Sequence, residues 1–385
     1  MKSNFAKILQ DIEKQRDAKL SRKLPSWENI SGMLFPDTLC LEQCSSSASA
    51  AFKAKVLEPE RLKGNGRIAD LTGGLGVDSI AFAQSGWEVL YFERKKELAS
   101  AVENNIRLLG QSGIEICCEE ISIEKEEWKE RIESFLPSWI YIDPARRDSH
   151  GKKVFLIEDC SPDVLTLLPY LWGIAQGIMI KLSPMADLSM LADRLGRKLG
   201  KIYIVELNGE IKELLCVLRK DWDVDEPEII VCDANKDFTI SILRSQERDA
   251  EIELCTSSDI KSGFIYEGGP AIIKSGAYKL ICKMCNAQKL DISTHLYYRD
   301  NELNNSALSQ FIKHYKIIDT LPFSKEGFKQ VSQLYPQAEI SARNLPISSE
   351  QLRKRCKVKS GGDIHIFACS VSSERMMIVC KRLPK

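Results

Sequence analysis

Between Arg67 and Gly200 short apolar runs alternate with longer amphipathic stretches, and this alternation limits the possible folds more than any other feature of the chain. RIADL, WEVLYFE, GIEICCEE, SWIYID and GIMIKL read as strands, while VDSIAFAQSG, ELASAVENNIRLLG, EKEEWKERIESFL, PDVLTLLPYLWGIA and DLSMLADRLGRKLG read as helices. Such alternation predicts a parallel sheet covered by helices on both faces. The pattern then changes. In KIYIVELNGEIKELLCVLR two β-rich runs flank Asn208-Gly209, a strong hairpin signal. The sheet is therefore expected to close with an antiparallel pair. The expected class is α/β, a Rossmann-like sheet of seven strands.

The flanks differ in texture. Residues 1–60 read as helical segments broken by Pro25, Pro36 and Pro59. Beyond about residue 220 strands mix with short helices: PEIIVCDA, DFTISILRS and AEIELC as strands, AIIKSGAYKLICKMC as a helix, KLDISTHLYYRD as a strand. The last unit ends in IHIFACS and MMIVCKR, which read as a hairpin. The expected division is a helical segment over 1–60, the α/β domain over 61–220, an α+β module over 221–318 and a small domain over 319–385.

Composition narrows the function. Lys+Arg and Asp+Glu are both 54, so any contact with nucleic acid must come from local patches and not from net charge. No apolar run approaches the length of a membrane span, and the charged first residues lack the apolar core of a secretory signal. The 13 cysteines are therefore expected as free thiols in a reducing, cytoplasmic setting. The pairs Cys40/Cys44 and Cys282/Cys285 fall short of a zinc or iron–sulfur pattern, and the four scattered histidines suggest no metal site.

The loop after the first strand reads Asp70-Leu71-Thr72-Gly73-Gly74-Leu75-Gly76-Val77-Asp78. Glycines let a ligand approach the backbone, and the following helix offers free amides. Glu93 ends the second strand, where a carboxylate can accept hydrogen bonds from both ribose hydroxyls of an adenosyl cofactor. Gly74-x-Gly76-x-x-Ser79 approaches the dinucleotide fingerprint, so a nicotinamide cofactor is a rival. Three features favour S-adenosylmethionine: Asp70, expected beside the cofactor's ammonium; the closing hairpin; and the motif after the fourth strand. The expected cofactor residues are Asp70, Thr72, Gly73, Gly74, Gly76, Asp78 and Glu93, with Glu120 or its neighbour Glu119 at the adenine amine.

That motif is Asp143-Pro144-Ala145-Arg146-Arg147. Ligands of open α/β sheets bind beyond the carboxyl ends of the strands, so this turn is expected to face the cofactor. Asp143 and the Pro144 carbonyl can accept hydrogen bonds from an amine and aim its lone pair at a methyl group. The motif is similar to the Asp/Asn-Pro-Pro-aromatic signature of amino-methylating nucleic-acid methyltransferases and to the Asp-Pro-Pro-Arg of some RNA methyltransferases. Here Ala145 replaces the second proline and Arg146 the aromatic. Arg146 and Arg147 are the expected substrate contacts, since a guanidinium stacks on a base or holds a phosphate. Cys160 in EDCSP is a possible nucleophile for carbon methylation, with plain capping by Asp159 or Ser161 as the alternative.

Taken together, LPSW, LEQCSSSASAAFKAK, DLTGGLGVD, DPARR, EDCSP, VELNGEIKELL, FIYEGGPAIIKSGA and ISARNLPISSEQLRKRCKVKSGGDIHIFA resemble a bacterial family, found largely in Bacteroidetes, of class I methyltransferases with a THUMP-like C-terminal domain. The resemblance implies a ferredoxin-like module over 221–318 and the THUMP-like domain over 319–385. In related amino-methyltransferases a segment before the glycine loop closes over the cofactor. Ser45 and Ser46 fall in that position, with capping of the next helix as the competing role. The cluster Arg343, Arg353, Lys354, Arg355, Lys357 and Lys359 would neutralise phosphates, or would simply be a solvated helix face.

The reading is a cytoplasmic S-adenosylmethionine-dependent methyltransferase of structured RNA, tRNA or rRNA, without metal or membrane. Its rivals are a small-molecule or protein methyltransferase and a non-catalytic RNA-binding protein with a vestigial pocket. Tyr266-Glu267-Gly268-Gly269 with Lys274 is expected only to pack a turn on a helix.

Overall fold

The computed structural model describes residues 15–146, 156–304 and 306–383. The chain forms two compact units. The first runs to Leu207 and takes in Ile211–Glu228 and Asp233–Asp237; the second holds Asn208–Glu210, Ile229–Cys232 and the residues from Phe238 onward.

In the first unit the strands are β1 (Arg67–Asp70), β2 (Glu88–Phe92), β3 (Ile114–Cys117), β4 (Trp139–Ile142), β5 (Gly177–Leu182), β6 (Leu199–Leu207) and β7 (Glu210–Arg219). Within this unit they lie in the order β3-β2-β1-β4-β5-β7-β6. β1 is parallel to β2 and β4, β2 to β3, and β4 to β5. β7 runs antiparallel to β5, with Gly177 opposite Arg219. The expected antiparallel closure is thus present. Asn208 and Gly209 both take positive φ, 55° and 80°, as a tight hairpin turn requires. All four residues of β4 are buried, as in a strand covered on both faces.

The N-terminal segment is part of this unit. Helix Ser47–Lys63 runs through the expected boundary at residue 60. Leu20, Leu24, Trp27, Leu41 and Ala50 share one core with Leu75, Val77, Tyr91 and Val102. Leu24 and Leu41 are fully buried, and each such side chain contributes about 1.5–3 kcal/mol. The segment is therefore anchored to the glycine loop and its helix by hydrophobic burial.

In the second unit β8 (Glu228–Asp233) pairs antiparallel with β9 (Thr239–Ile242). A separate sheet contains β10 (Phe264–Gly268), β11 (Gln288–Asp291), β12 (Thr294–Arg299), β13 (Ile312–Pro322), β14 (Glu339–Arg343), β15 (Ile364–Val371) and β16 (Glu374–Arg382). Its order is β11-β12-β10-β13-β16-β15-β14. The predicted final hairpin is β15–β16.

Several local expectations change here. The boundary expected at 318–319 falls inside β13, which pairs with both β10 and β16, so one sheet spans the two expected C-terminal domains. AIIKSGAYKLICKMC is two helices, Pro270–Ser275 and Tyr278–Cys285, because Gly276 takes a left-handed φ of 77° and caps the first. KLDISTHLYYRD is a hairpin, β11–β12, and not one strand. AEIELC forms only an isolated bridge from Leu254 to Lys289.

Candidate active site

The glycine loop is held from beneath by Asp70. Its carboxylate accepts the Thr72 N–H at 3.0 Å and the Ser79 O–H at 2.6 Å. Asp70 is 1 % exposed, and burial pushes its pKa up to about 7. This corrects the expectation that Asp70 faces a cofactor's ammonium: it is turned into the fold and pins the loop. The Gly73 N–H donates to the Phe92 carbonyl at 2.8 Å, and the Tyr91 hydroxyl to the Gly74 carbonyl at 2.6 Å. A Cβ on Gly73 would lie 1.9 Å from the Tyr91 ring, so only glycine fits. Gly76, with φ 76°, starts helix Val77–Gln84.

Around this loop lies a cavity of about 540 Å³ at the carboxyl edge of β1 to β5. Thr72, Gly73, Gly74 and Asp78 line it from the loop; Glu93 lines it from the end of β2. The Glu93 carboxylate accepts the N–H groups of Gly74 at 3.2 Å and Lys95 at 2.8 Å. Glu119 and Glu120 line the cavity beyond β3. Glu120 is exposed and paired with Lys125 at 2.6 Å. Glu119 keeps a buried Oε2 with no partner among the described residues, which makes it the better-placed acceptor of the two.

Ser45 and Asp143 also reach the cavity. Ser46 and Gly76 do not line it. Ser46 is the N-cap of helix Ser47–Lys63 and accepts the Ser49 N–H at 3.2 Å, so the capping role is the one the structure gives it. Pro144 is buried and likewise absent from the lining. Ala145 and Arg146 form a two-residue ladder with Ser161 and Cys160. Arg147 lies outside the described residues. Cys160 is fully buried and does not line the cavity, whereas Ser161 and Pro162 do; a nucleophilic Cys160 has no access to it.

Beneath the cavity a charged network joins five parts of the unit. Lys53, wholly buried, meets Asp78 and Glu213 at 3.0 Å each and donates to Ser45 at 2.9 Å. Asp78 also accepts the Ser45 and Tyr141 hydroxyls at 2.8 Å. Burial opposes the charge on Asp78, but Lys53 and Lys181 outweigh it and hold its pKa below the ordinary range. Lys181, on β5, donates to Asp143 Oδ2 at 2.5 Å and to Ser45 Oγ at 3.5 Å. Burial pulls the Lys181 pKa down, yet Asp143, Glu213 and Asp78 together hold it above its ordinary value. Lys181 lines the cavity. Sequence reasoning missed Lys53, Tyr141, Lys181 and Glu213. The signal for Lys181 was present: a single lysine inside the apolar strand GIMIKL.

The arrangement can seat a polar, cation-bearing ligand along the strand ends, with hydrogen-bond acceptors at β2 and β3 and a carboxylate at β4. Among the described residues no group of three His, Cys, Asp or Glu is placed to hold a metal. No described helix is long and apolar enough to cross a membrane.

In the second unit Glu267 of the YEGG motif is buried and paired with Lys313 at 3.0 Å and with Arg343 at 2.5 Å, so Arg343 has a structural partner. A Cβ on Gly269 would come within 2.6 Å of the Phe311 carbonyl, in keeping with a packed turn. Lys354, Arg355, Lys357 and Lys359 are exposed on or just beyond helix Ser349–Cys356.

Residues 312–382 match a family described as THUMP domain-like, and residues 264–305 match a ferredoxin-like domain. A Porphyromonas gingivalis W83 protein assigned as a methyltransferase has a crystal structure that superimposes with a TM-score of 0.83 at 29% identity, covering 96% of this chain and 89% of that one. An S-adenosylmethionine-dependent methyltransferase from Agrobacterium tumefaciens matches at 18% identity and TM-score 0.31, covering 43% of this chain and 60% of that one. The 16S rRNA N2 G1207 methyltransferase of T. thermophilus matches at 11% identity and TM-score 0.30, covering 49% and 44%. These last two likenesses are too slight to bear on function. Among curated proteins none matches the chain.

Proposed function

We propose that this chain, a member of the bacterial class I methyltransferases with ferredoxin-like and THUMP-like C-terminal domains, methylates a base of structured RNA, tRNA or rRNA, with S-adenosylmethionine as donor. One observation carries the reading: the glycine loop, Glu93 and Asp143 line a single cavity at the carboxyl edge of the sheet. The buried Glu119 oxygen in that lining, without a partner among the described residues, fits an adenine amine, and the half-buried Glu93 carboxylate stands where ribose hydroxyls would be received.

When bound, the donor supplies a methyl group on a sulfonium sulfur. The displacement needs a nucleophile held in line at roughly 3–3.5 Å and little further machinery. Asp143 is suited to orienting it. Lys181 engages its Oδ2, leaving Oδ1 to accept an N–H of the substrate. Cations Lys354, Arg355, Lys357 and Lys359 support an RNA substrate, since they can neutralise phosphates from the THUMP-like part of the chain.

The test is methyl transfer from labelled donor into RNA of a strain lacking this gene, followed by nucleoside mass spectrometry. One modified nucleoside should appear with the native protein and be lost with Asp143→Ala. Label entering a metabolite or protein fraction in place of RNA would establish the rival substrate class. Donor binding without any transfer would leave a binding protein.

A further inference from the structure

We propose that Lys181 receives the carboxylate of the donor's α-amino-acid tail and so fixes which way round the donor lies. The inference rests on the donor being S-adenosylmethionine, and it names a residue for the tail now that Asp70 is excluded. That tail carries an ammonium and a carboxylate. An anionic group entering a site of excess negative charge needs a cation within reach, because an unpaired buried charge costs several kcal/mol. The carboxylates Asp37, Asp78, Glu93, Glu119, Glu120 and Asp143 all line the cavity. Against them stand the lining cations Arg94, Lys95 and Lys181.

Sheet order separates these cations. Arg94 and Lys95 follow β2; Lys181 is on β5, three strand positions away in β2-β1-β4-β5, or roughly 14 Å at the usual strand spacing. Arg94 and Lys95 share their end with Glu93 and Glu119, the acceptors suited to an adenosine. Lys181 is the cation at the other end, where Ser45 and Asp143 stand. Lys53 is wholly buried behind the lining and already engages Asp78 and Glu213. The Lys181 ammonium has three N–H groups, of which Asp143 and Ser45 engage two. The third has no partner among the described residues and can meet a carboxylate, which would then sit beside Ser45. The same ammonium, bound to Asp143, places the tail next to the residue that orients the substrate.

The test compares two neutral thioethers by calorimetry. S-adenosylhomocysteine has the tail; 5′-methylthioadenosine lacks it; neither carries the sulfonium charge, so the altered charge of the cavity acts on the two differently only through the tail, and through the tail ammonium it opposes the expected weakening. Lys181→Met should weaken S-adenosylhomocysteine roughly 10- to 100-fold, as expected for loss of a charged hydrogen bond. It should leave 5′-methylthioadenosine within about threefold, and Lys181→Arg should recover most of the lost affinity. Equal weakening of both ligands, or no weakening of either, overturns the inference. If Lys181→Met lowers the unfolding midpoint, the decision falls to the Arg variant, whose failure to prefer the tailed ligand has the same meaning. A native protein that binds neither thioether nor S-adenosylmethionine removes the donor reading itself, an outcome distinct from a tail that binds without Lys181.

Discussion

The backbone N–H of Asp143 donates to the Thr72 hydroxyl at 2.6 Å. The turn after β4 is thereby tied to the glycine loop after β1, across 71 residues of sequence. Thr72 is positioned in turn, because its own N–H is held by buried Asp70. The proposed donor cradle and the proposed substrate-orienting carboxylate are parts of one hydrogen-bonded assembly, so a change on one side displaces the other.

Thr72→Val preserves shape and removes this acceptor. An Asp143 amide left unsatisfied costs about 1–3 kcal/mol, and a misplaced orienting group lowers the rate steeply. The expected result is a loss of that size in denaturant unfolding, with methyl transfer at least about tenfold slower. Thr72→Ser, which keeps the hydroxyl, should restore both.

Lys53 is the hub beneath the cavity. It joins helix Ser47–Lys63 to Asp78 after the glycine loop and to Glu213 on β7. Lys53→Met leaves two buried carboxylates without their cation, and breaking such a pair costs about 3–5 kcal/mol. Adding Glu213→Gln should recover part of the loss, since one uncompensated charge is then gone. A double-mutant cycle in urea measures the coupling; strictly additive losses would contradict it.

How much of this was readable in the residues depends on how local each cause is. Asn208 and Gly209 declare their hairpin because few other residues take positive φ so readily, and the alternating runs declare the strands and their crossovers. Gly73 and Glu93 follow from their places at strand ends. The Asp70 expectation failed for a different reason: sequence locates a residue at a strand end but not the direction in which its side chain turns, and Ser79 with the Thr72 N–H draws it inward. The Lys53–Glu213 pair joins residues on separate elements, so nothing in either local pattern announces it. The turn between β11 and β12 was hidden because Ile292-Ser293 contains no Gly, Pro, Asn or Asp, and serine alone marks a turn only weakly.

Asp70 gives a pH prediction. Its pKa in the fold, about 7, is raised from an ordinary 3.8 by burial. The folded state therefore holds a proton that the unfolded chain releases, and the stability this contributes is complete below the unfolded value and lost as pH rises through 7. Asp70→Asn can still accept the Thr72 N–H and carries no charge to bury. The stability of the Asn variant relative to the native protein should rise between pH 4 and 8, by at most about 4 kcal/mol. Urea unfolding at a series of pH values checks it, and a pH-independent difference would show that Asp70 does not titrate in this range.

The exposed cations at the C-terminal end bear on the proposed RNA substrate. Lys354, Arg355, Lys357 and Lys359 project from or just beyond a short helix whose buried residues are Leu352 and Cys356, so replacing all four by alanine spares the packed face. Among the described residues the one ion pair of the four is Lys354 with Glu350 at 2.8 Å, on the surface, where such a pair contributes about 0.3–0.5 kcal/mol. The unfolding midpoint should scarcely move. Binding of bulk tRNA should respond differently. Each lost phosphate contact lowers the slope of log affinity against log salt by about 0.7–0.9, so four contacts correspond to a slope shallower by roughly 3. Titrations between about 50 and 200 mM salt measure it. An unchanged slope would place the phosphate contacts elsewhere on the chain, whereas a shallower slope with methyl transfer retained at low salt would show that this surface contributes affinity and not chemistry.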